Sequence, residues 1–510
     1  MHGITQKIYL SLTPPTQEDF VSDQERILRE LRRQGIQAEL PLSILQSLYP
    51  FCPRSDWKFT VSLAYNGSVW SVVRMEAGDT TRQHYGICAD LGSTTLVMQL
   101  IDCGTGQVLG EASAYNHQIP FGEDILTRIF YAKDQPEHLA EIRQATLDTF
   151  QEVLTSLTEQ TGILASDCIS MVVAGNTTMI HFLLGMDAFC VFSAPYAVHA
   201  LDPGFLPARE FGFSLPGYVY CYPGKANYLG GDIISGAIAT GIHDKEELSL
   251  FFDIGTNGEL IIGNREFLLC GAGAAGPALE GGVVKTGMRA VEGAVERLQI
   301  QDGVFHLHTI NNAAPVGICG SGIVDMLAQL FLNGWITIQG KFVPDKSPLI
   351  HMEDNEYCVT YAPGLCFYQS DIDEFLKTKA AAVTMIHYML DLTGISPEEI
   401  SHYYMAGAFG AHISKESAVT IGMYPDVDRE KLVPVGNASL KGAKMLLLDC
   451  ELLDRLPALL ENMEYVQFGA VDNFINLMVA ATAIPHTNLE QYPSVVEQMM
   501  YCHLHLPKGF

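Results

Sequence analysis

The sequence predicts an α/β fold in which one half-domain occurs twice, behind a small α+β unit at the N-terminus. Three observations carry that prediction. The chain has 510 residues, more than a single hydrophobic core usually supports. A strand ending in Asp, then Gly with hydroxyl or amide residues, then a second apolar strand, occurs twice about 160 residues apart, which marks internal duplication. After each copy the apolar spacing lengthens from alternation to a helical period, so strands give way to helices.

Residues 1–84 make the first expected unit. KIYLSL, WKFTVSLAY and SVWSVVRM alternate as strands do. Between the first two, DQERILRELRRQG places Ile27, Leu28 and Leu31 on one helical face and stops at Gly35. The order is β–α–β–β, closed by a polar turn over residues 76–84.

Residues 85–245 make the first half-domain, and residues 246–510 the second with a C-terminal tail. One opens on YGICADLGSTTLVMQLIDCGTGQVLGEAS and the other on LSLFFDIGTNGELIIGNREFLLCGAG, each reading as three successive strands. Residues 134–160 then carry Leu139, Ile142, Ala145, Leu147, Phe150, Val153 and Leu154 at helical spacing, and residues 321–332 and 371–392 follow suit in the second half. No low-complexity linker intervenes. GGDIISGAIATG, residues 230–241, is the expected crossing between the halves.

Composition excludes several function classes. With 58 acidic against 30 basic residues the formal charge is −28, a surface that repels phosphate backbones and anionic headgroups, so neither nucleic acid nor membrane is expected as a partner. The N-terminus MHGITQKIYLSLTPP lacks the pattern of a secretory signal, and every apolar stretch is interrupted before it could span a bilayer. The 12 cysteines contain no CxxC pair and match no zinc or iron–sulfur spacing. Scattered over apolar segments, they read as reduced, buried thiols of a cytoplasmic protein.

The two hairpins carry the chemistry. Asp90 ends a strand and Gly92, Ser93, Thr94 and Thr95 turn it, presenting N–H groups and hydroxyls to one point, as phosphate oxygens require, with the carboxylate placed for Mg²⁺ or a water nucleophile. Asp253 followed by Gly255, Thr256, Asn257 and Gly258 repeats the device. Either one alone is also an ordinary hairpin turn; as a pair they can grip a triphosphate from two sides. A third element, YYMAGAFGAHI, runs a strand into Gly407, Ala408, Phe409 and Gly410, where backbone could approach an adenosine, or where strand and helix simply pack closely.

This order and spacing resemble the ATPase superfamily of actin, Hsp70 and the sugar kinases. That resemblance implies two RNase-H-like halves, ATP with Mg²⁺, and a nucleotide-dependent hinge. Further strings narrow it: NHQIPFGEDILTRI (116–129), AGNTTMIHFLLG (174–185), YLGGDIISG (228–236) and GPALEGGVVKTGMRAVEGAV (276–295). GICGSGIVD (317–325), QSDIDEFLKTKAA (369–381), GNASLKGA (436–443) and FINLMVAATAIPHTNLEQYP (474–493) belong with them. Together they resemble the reductive activators of corrinoid proteins, which use ATP to return an inactivated Co(II) corrinoid to Co(I), and the likeness runs nearly the whole chain.

The resemblance implies an ATPase of a methyltransferase system whose partner is a corrinoid protein, with a homodimer among the assemblies it allows. By motif position, Gly92, Ser93, Thr94 and Thr95 form one phosphate loop and Gly255, Thr256, Asn257 and Gly258 the other, with Gly407, Ala408, Phe409 and Gly410 on the nucleoside side. Asp90 and Asp253 would hold Mg²⁺ through water. Asp90 and Asp232 are the expected catalytic carboxylates, Asp232 orienting the attacking water or else capping a helix over residues 233–239. Glu259 would meet the ribose or a partner, and residues 270–282 a partner.

Members of the family commonly carry an N-terminal [2Fe–2S] ferredoxin-like domain. This chain opens on what resembles the linker and lacks that four-cysteine spacing, so no iron–sulfur cluster is expected, and either a separate ferredoxin or flavodoxin would supply the electron or the protein keeps only the ATP-driven remodelling role. His181, His199 and His387 read as satisfied core histidines. The pairs His306/His308 and His503/His505 each share a strand face but want further ligands. Two other functions fit the same fold: a nucleotide-dependent binding or chaperone module for a metalloprotein, and a small-molecule kinase.

Overall fold

The computed structural model describes residues 2–255, 257–274, 284–407, 412–468 and 474–501. The chain divides into two compact units, Met1–Ala239 with Ala438–Asn462, and Thr240–Asn437 with Met463–Phe510. It first passes from one unit to the other near the end of the helix Gly231–Thr240.

The first unit opens with strand β1 (Thr5–Ser11), the helix Asp23–Arg33, strand β2 (Ala38–Glu39), the helix Leu42–Arg54, and strands β3 (Lys58–Tyr65) and β4 (Trp70–Ala77). They form a four-stranded sheet in the order β1-β3-β4-β2. Ser22 starts the first helix by accepting from the Glu25 amide at 3.2 Å, and its Ile27 and Leu31 bury against Leu10, Phe59, Val61 and Leu63. The helix Leu42–Arg54 and the two-residue β2 are additions to the expected β–α–β–β order. Pro50 and Pro53 lie inside that helix, and they mask an apolar face of Ile44, Leu48 and Cys52 that is buried all the same.

Next come β5 (Tyr85–Leu91), β6 (Thr95–Asp102), β7 (Val108–Tyr115), β8 (Cys168–Gly175), β9 (Gly204–Pro207) and β10 (Tyr218–Cys221). Their sheet has the order β7-β6-β5-β8-β10-β9. β5–β6–β7 is an antiparallel meander, β8 runs parallel to β5, and β10 runs parallel to β8. The helix Pro136–Thr161 buries Ile142, Phe150, Val153, Leu154 and Leu157 in the core shared with Leu96, Met98 and Leu100 of β6. It ends at Gly162, whose φ of 73° is the left-handed turn that glycine takes without penalty.

The second unit repeats the plan. It contains β11 (Ser249–Ile254), β12 (Asn257–Gly263) and β13 (Leu268–Ala274), then a small sheet of β14 (Ala294–Gln301), β15 (Val304–Thr309) and β16 (Gly317–Ile318). A second small sheet follows, β17 (Ile350–Glu353), β18 (Glu356–Ala362) and β19 (Leu365–Tyr368). β20 (His402–Ala406), β21 (Leu432–Gly436) and β22 (Met463–Val466) complete the main sheet in the order β21-β20-β11-β12-β13-β22. Again a meander, β11–β12–β13, is followed by two parallel strands, β20 on β11 and β21 on β20. The same order of five strands in both sheets is the duplication read from the sequence, and the sixth strand differs, β9 lying beside β10 and β22 beside β13.

The expected helices stand at Gly320–Leu332 and Gln369–Thr393. Within the second, Lys379 is fully buried and donates to the carbonyls of Ile421, Ala483 and Pro485 at 3.1, 2.6 and 2.8 Å. Burial pushes its amine down to about 7, while three carbonyl acceptors match the three N–H groups of the charged form. No described helix is long and apolar enough to cross a membrane, and no disulfide forms among the described residues.

Candidate functional site

In the first unit the hairpin after β5 is closed by the Gly92 amide donating to the Thr95 carbonyl at 3.1 Å. Its tip is tied down from behind. The Ser93 carbonyl accepts from Arg128 Nη1 at 2.6 Å, and the Thr94 carbonyl from the Asn116 amide at 2.9 Å. Asn116 Nδ2 adds a bond to the Gly92 carbonyl at 3.0 Å. With both tip carbonyls engaged inward, the N–H groups and hydroxyls of Ser93 and Thr94 have no partner among the described residues, and both residues are partly exposed. A turn whose acceptors are used and whose donors are available suits an anion.

Arg128 is fully buried. It also donates Nε to the Gly122 carbonyl at 2.8 Å and Nη1 to Gln118 Oε1 at 3.2 Å. Burial pushes the guanidinium down to about 10, against a counteracting Asp124, so it stays charged at neutral pH. Asn116 and Arg128 both lie in the string 116–129. The sequence reading gave neither a role, and no local spacing signals a brace 35 residues from the turn it supports.

Asp90 stands at the end of β5 and accepts from Ser439 Oγ at 2.8 Å. Ser439 comes from the helix Ala438–Leu448, so this partner lies far along the chain yet in the same unit. Ser235 Oγ in turn bonds the Ser439 carbonyl. The helix crosses Gly231–Thr240 at Gly442, where a Cβ would lie 1.9 Å from the Ser235 carbonyl oxygen. Only glycine permits that approach. Asp232 lies in the first turn of Gly231–Thr240, inside the helix rather than ahead of it, and accepts from the Ile233 amide at 2.9 Å. Burial, and then the Asp90 carboxylate, pushes its carboxyl up to about 7. The fold thus brings Asp90 and Asp232 near one another, and two carboxylates so placed are relieved by a proton or a cation.

In the second unit the Gly255 amide donates to the Asn257 carbonyl at 2.8 Å, closing the matching turn. Gly258 pairs with Ile254, and Asp253 faces Glu259 across the ladder. Glu259 is buried. Asp253 also neighbours Ala406 of the parallel strand β20. Gly407 has φ +81°, and a Cβ there would lie 2.4 Å from the Ile254 carbonyl oxygen and 2.9 Å from Asp253 Oδ1. The glycine is therefore needed for close packing of β20 onto the Asp253 turn. Thr256, Ala408, Phe409 and Gly410 lie outside the described residues, as do residues 275–282 of the expected partner loop; its start, Cys270, is within β13.

The histidines divide. His181 is buried and bonds the Thr177 carbonyl through Nδ1 at 2.7 Å. Its Nε2 has no partner among the described residues, and burial lowers its pKa. His387 is held down at about 4 by burial, then by His486 and Lys379. His199 is exposed, not core; the prolines and aromatics around it lie on a surface loop. His306 and His308 are exposed on β15, with His308 Nδ1 3.0 Å from Glu296 Oε1. His503 and His505 lie outside the described residues.

Three family models match the chain in succession: the RACo linker region over residues 1–82, the RACo middle region over 85–245, and the C-terminal domain of RACo, the ASKHA (actin/Hsp70/sugar-kinase) domain, over 247–496. A solved structure, "Reductive activator for corrinoid,iron-sulfur protein", superposes with a TM-score of 0.91 at 33% identity, covering 96% of this chain and 81% of that one. The "Corrinoid activation enzyme RamQ" of Eubacterium limosum is 31% identical over 72% of this chain, which spans 65% of that relative's length. A "[Co(II) methylated amine-specific corrinoid protein] reductase" of Methanosarcina barkeri is 25% identical over 72% of this chain and 71% of its own.

Proposed function

The chain belongs to the RACo family of reductive activators of corrinoid proteins, and from that premise we propose that it uses ATP to help return an oxidised corrinoid protein from Co(II) to Co(I). The observation that carries the nucleotide half of this reading is the braced turn at Ser93 and Thr94, whose carbonyls are engaged and whose donors have no partner among the described residues. In the proposal Gly92, Ser93, Thr94 and Thr95 hold phosphate oxygens, and Gly255, Thr256, Asn257 and Gly258 do the same from the second unit. Gly407, Ala408, Phe409 and Gly410 border the nucleoside.

Asp90 and Asp253 are assigned to Mg²⁺, each through water, since this ion keeps much of its hydration. The neighbouring carboxylates of Asp90 and Asp232 fit that assignment, because a divalent ion lowers the repulsion between them. Bound Mg²⁺ supplies charge compensation for the triphosphate. In the proposal Asp232, whose carboxyl burial pushes up to about 7, orients the attacking water and takes its proton. Ser439 fixes the Asp90 carboxylate through its hydroxyl.

Free energy enters through conformation. A corrinoid protein bound more tightly in a reducible geometry by the ATP-loaded chain than by the ADP-loaded chain is shifted toward that geometry, by no more than the difference in affinity. The electron itself is assigned to a separate ferredoxin or flavodoxin, the protein to a cytoplasmic setting. The test is ATP turnover with and without a corrinoid protein held as Co(II). Stimulation in the natural chain and its loss in Asp90→Ala, with folding intact by circular dichroism, are expected. Unchanged turnover in Asp90→Ala removes the residue from the site, and turnover indifferent to the corrinoid protein counts against the function.

A further inference from the structure

The small sheet β17–β18–β19 has one face in the core and one that is chemically unusual. Ile350, Val359 and Phe367 pair in register across it and are buried. On the opposite face His351 pairs directly with Cys358, Glu353 lies two residues along β17, and Cys366 lies opposite Thr360, two residues from Cys358. Strand alternation alone places all four on one side. Their ligand atoms lie within 4.8 Å of one another. Cys358 Sγ is 3.5 Å from His351 Nε2 and 3.7 Å from Glu353 Oε2. Ligands of a tetrahedral zinc, bonded at about 2.3 Å for sulfur and about 2.0–2.2 Å for nitrogen and oxygen, stand about 3.3–3.8 Å apart.

The surroundings are arranged in the same sense. His351 Nδ1 is 3.2 Å from the Leu349 carbonyl, which can only accept, so Nδ1 carries the proton and the Nε2 lone pair faces Cys358. Tyr368 donates its hydroxyl to Glu353 Oε2 at 2.8 Å. A histidine whose second nitrogen is engaged by a backbone carbonyl and a carboxylate held by a hydroxyl are the usual supports of metal ligands. Two thiols beside an imidazole and a carboxylate favour zinc over Mg²⁺ or Ca²⁺.

We propose that His351, Glu353, Cys358 and Cys366 form a four-ligand tetrahedral site for a divalent ion of the zinc class. With all four positions filled by protein, the site is structural. It pins the sheet that leads into the helix Gln369–Thr393, whose Asp371 accepts from the Tyr368 amide at 2.9 Å and the Lys285 amide at 3.0 Å. The ligands come from three strands with no CxxC pair, which is why their spacing gave no signal.

The full chain, reduced and stripped with a chelator, is titrated with cobalt(II) as a spectroscopic probe. One equivalent is expected to bind, with thiolate charge-transfer absorption and the strong visible bands of a tetrahedral site, both displaced by zinc. Cys358→Ser with Cys366→Ser should abolish the charge transfer. The exposed residue His351→Gln leaves the core untouched and should weaken binding and shift the visible bands. Tyr368→Phe should weaken it by roughly 10–100-fold. No uptake by the natural chain, or identical spectra and affinity in His351→Gln and the double cysteine variant, overturns the proposal.

Discussion

Replacing Arg128 by Met removes the brace behind the first phosphate turn while roughly keeping side-chain length. Three acceptors lose their donor: the Ser93 carbonyl, the Gly122 carbonyl and Gln118 Oε1. Hydrogen bonds from a charged group contribute about 1.5–3 kcal/mol each. Part of that sum is offset, because a buried guanidinium is itself costly and its Nη2 already lacks a partner. The two carbonyls cannot be repacked away, so a net loss of about 3–5 kcal/mol is expected. With a urea slope of about 2–3 kcal/mol/M, the midpoint of the first unit's transition should fall by about 1–2.5 M. Trp57 and Trp70 lie in that unit and report its unfolding in a Trp335→Phe background. ATP affinity should fall by at least about tenfold, or 1.4 kcal/mol, because the Ser93 and Thr94 donors are no longer held outward. Arg128→Lys keeps the charge but not the fork, and should fall between the two. A Met variant with natural stability and natural ATP affinity refutes the idea that this brace positions the turn.

Gly407→Ala should destabilise the second unit by roughly 2–5 kcal/mol, from left-handed strain plus overpacking on Ile254, and weaken Mg²⁺–ATP binding; ordinary affinity would detach Gly407 from the site. Lys379→Met leaves three buried carbonyls without a donor and should cost about 3 kcal/mol, read from the second unit's unfolding through Trp335. The two buried histidines should each contribute a loss of stability in acid, read as the difference between the natural chain and its His variant because Asp232, pushed up to about 7, contributes with the opposite sign. His84, by burial and then Lys7, and His387 are each held at about 4, while an unfolded histidine titrates near 6.5. Between those values the unfolded chain takes up protons at these positions that the folded chain refuses, so the histidines' contribution is full above pH 6.5 and declines toward pH 4. Allowing for partial exposure, each contributes up to roughly 2 kcal/mol. His84→Gln should flatten its share of the slope, and an unchanged slope would assign it elsewhere. Iron and acid-labile sulfide assayed in protein purified without air are expected to be absent; stoichiometric amounts of both would contradict the separate electron donor.

Much of the fold was legible because its signals are local. Asp90 and Asp253 end strands and are followed by glycines, and that pattern needs no long-range information to be seen twice. Helix limits shifted by at most two residues, as at Gln369–Thr393 against residues 371–392. What escaped depends on residues distant in sequence. Ser439 reaches Asp90 from 349 positions away, and Arg128 reaches Ser93 across 35. The glycines at 407 and 442 were visible as glycines, but what each lets approach is a backbone carbonyl on another element. His199 shows the reverse error: neighbours in sequence looked like a core, and the loop places the ring at the surface. Cys358 and Cys366 looked like scattered buried thiols until strand pairing set them on one face.

Whether ATP on this chain drives cobalt reduction is decided by following the cobalt oxidation state optically. A corrinoid protein poised as Co(II) in the presence of a low-potential donor is mixed with the chain, and the visible spectrum is followed before and after Mg²⁺–ATP is added. Co(I) is expected to accumulate only when chain and ATP are both present, and Asp90→Ala is expected to abolish the gain. Co(I) appearing at the same rate and extent without ATP, or with the Asp90 variant, would contradict it.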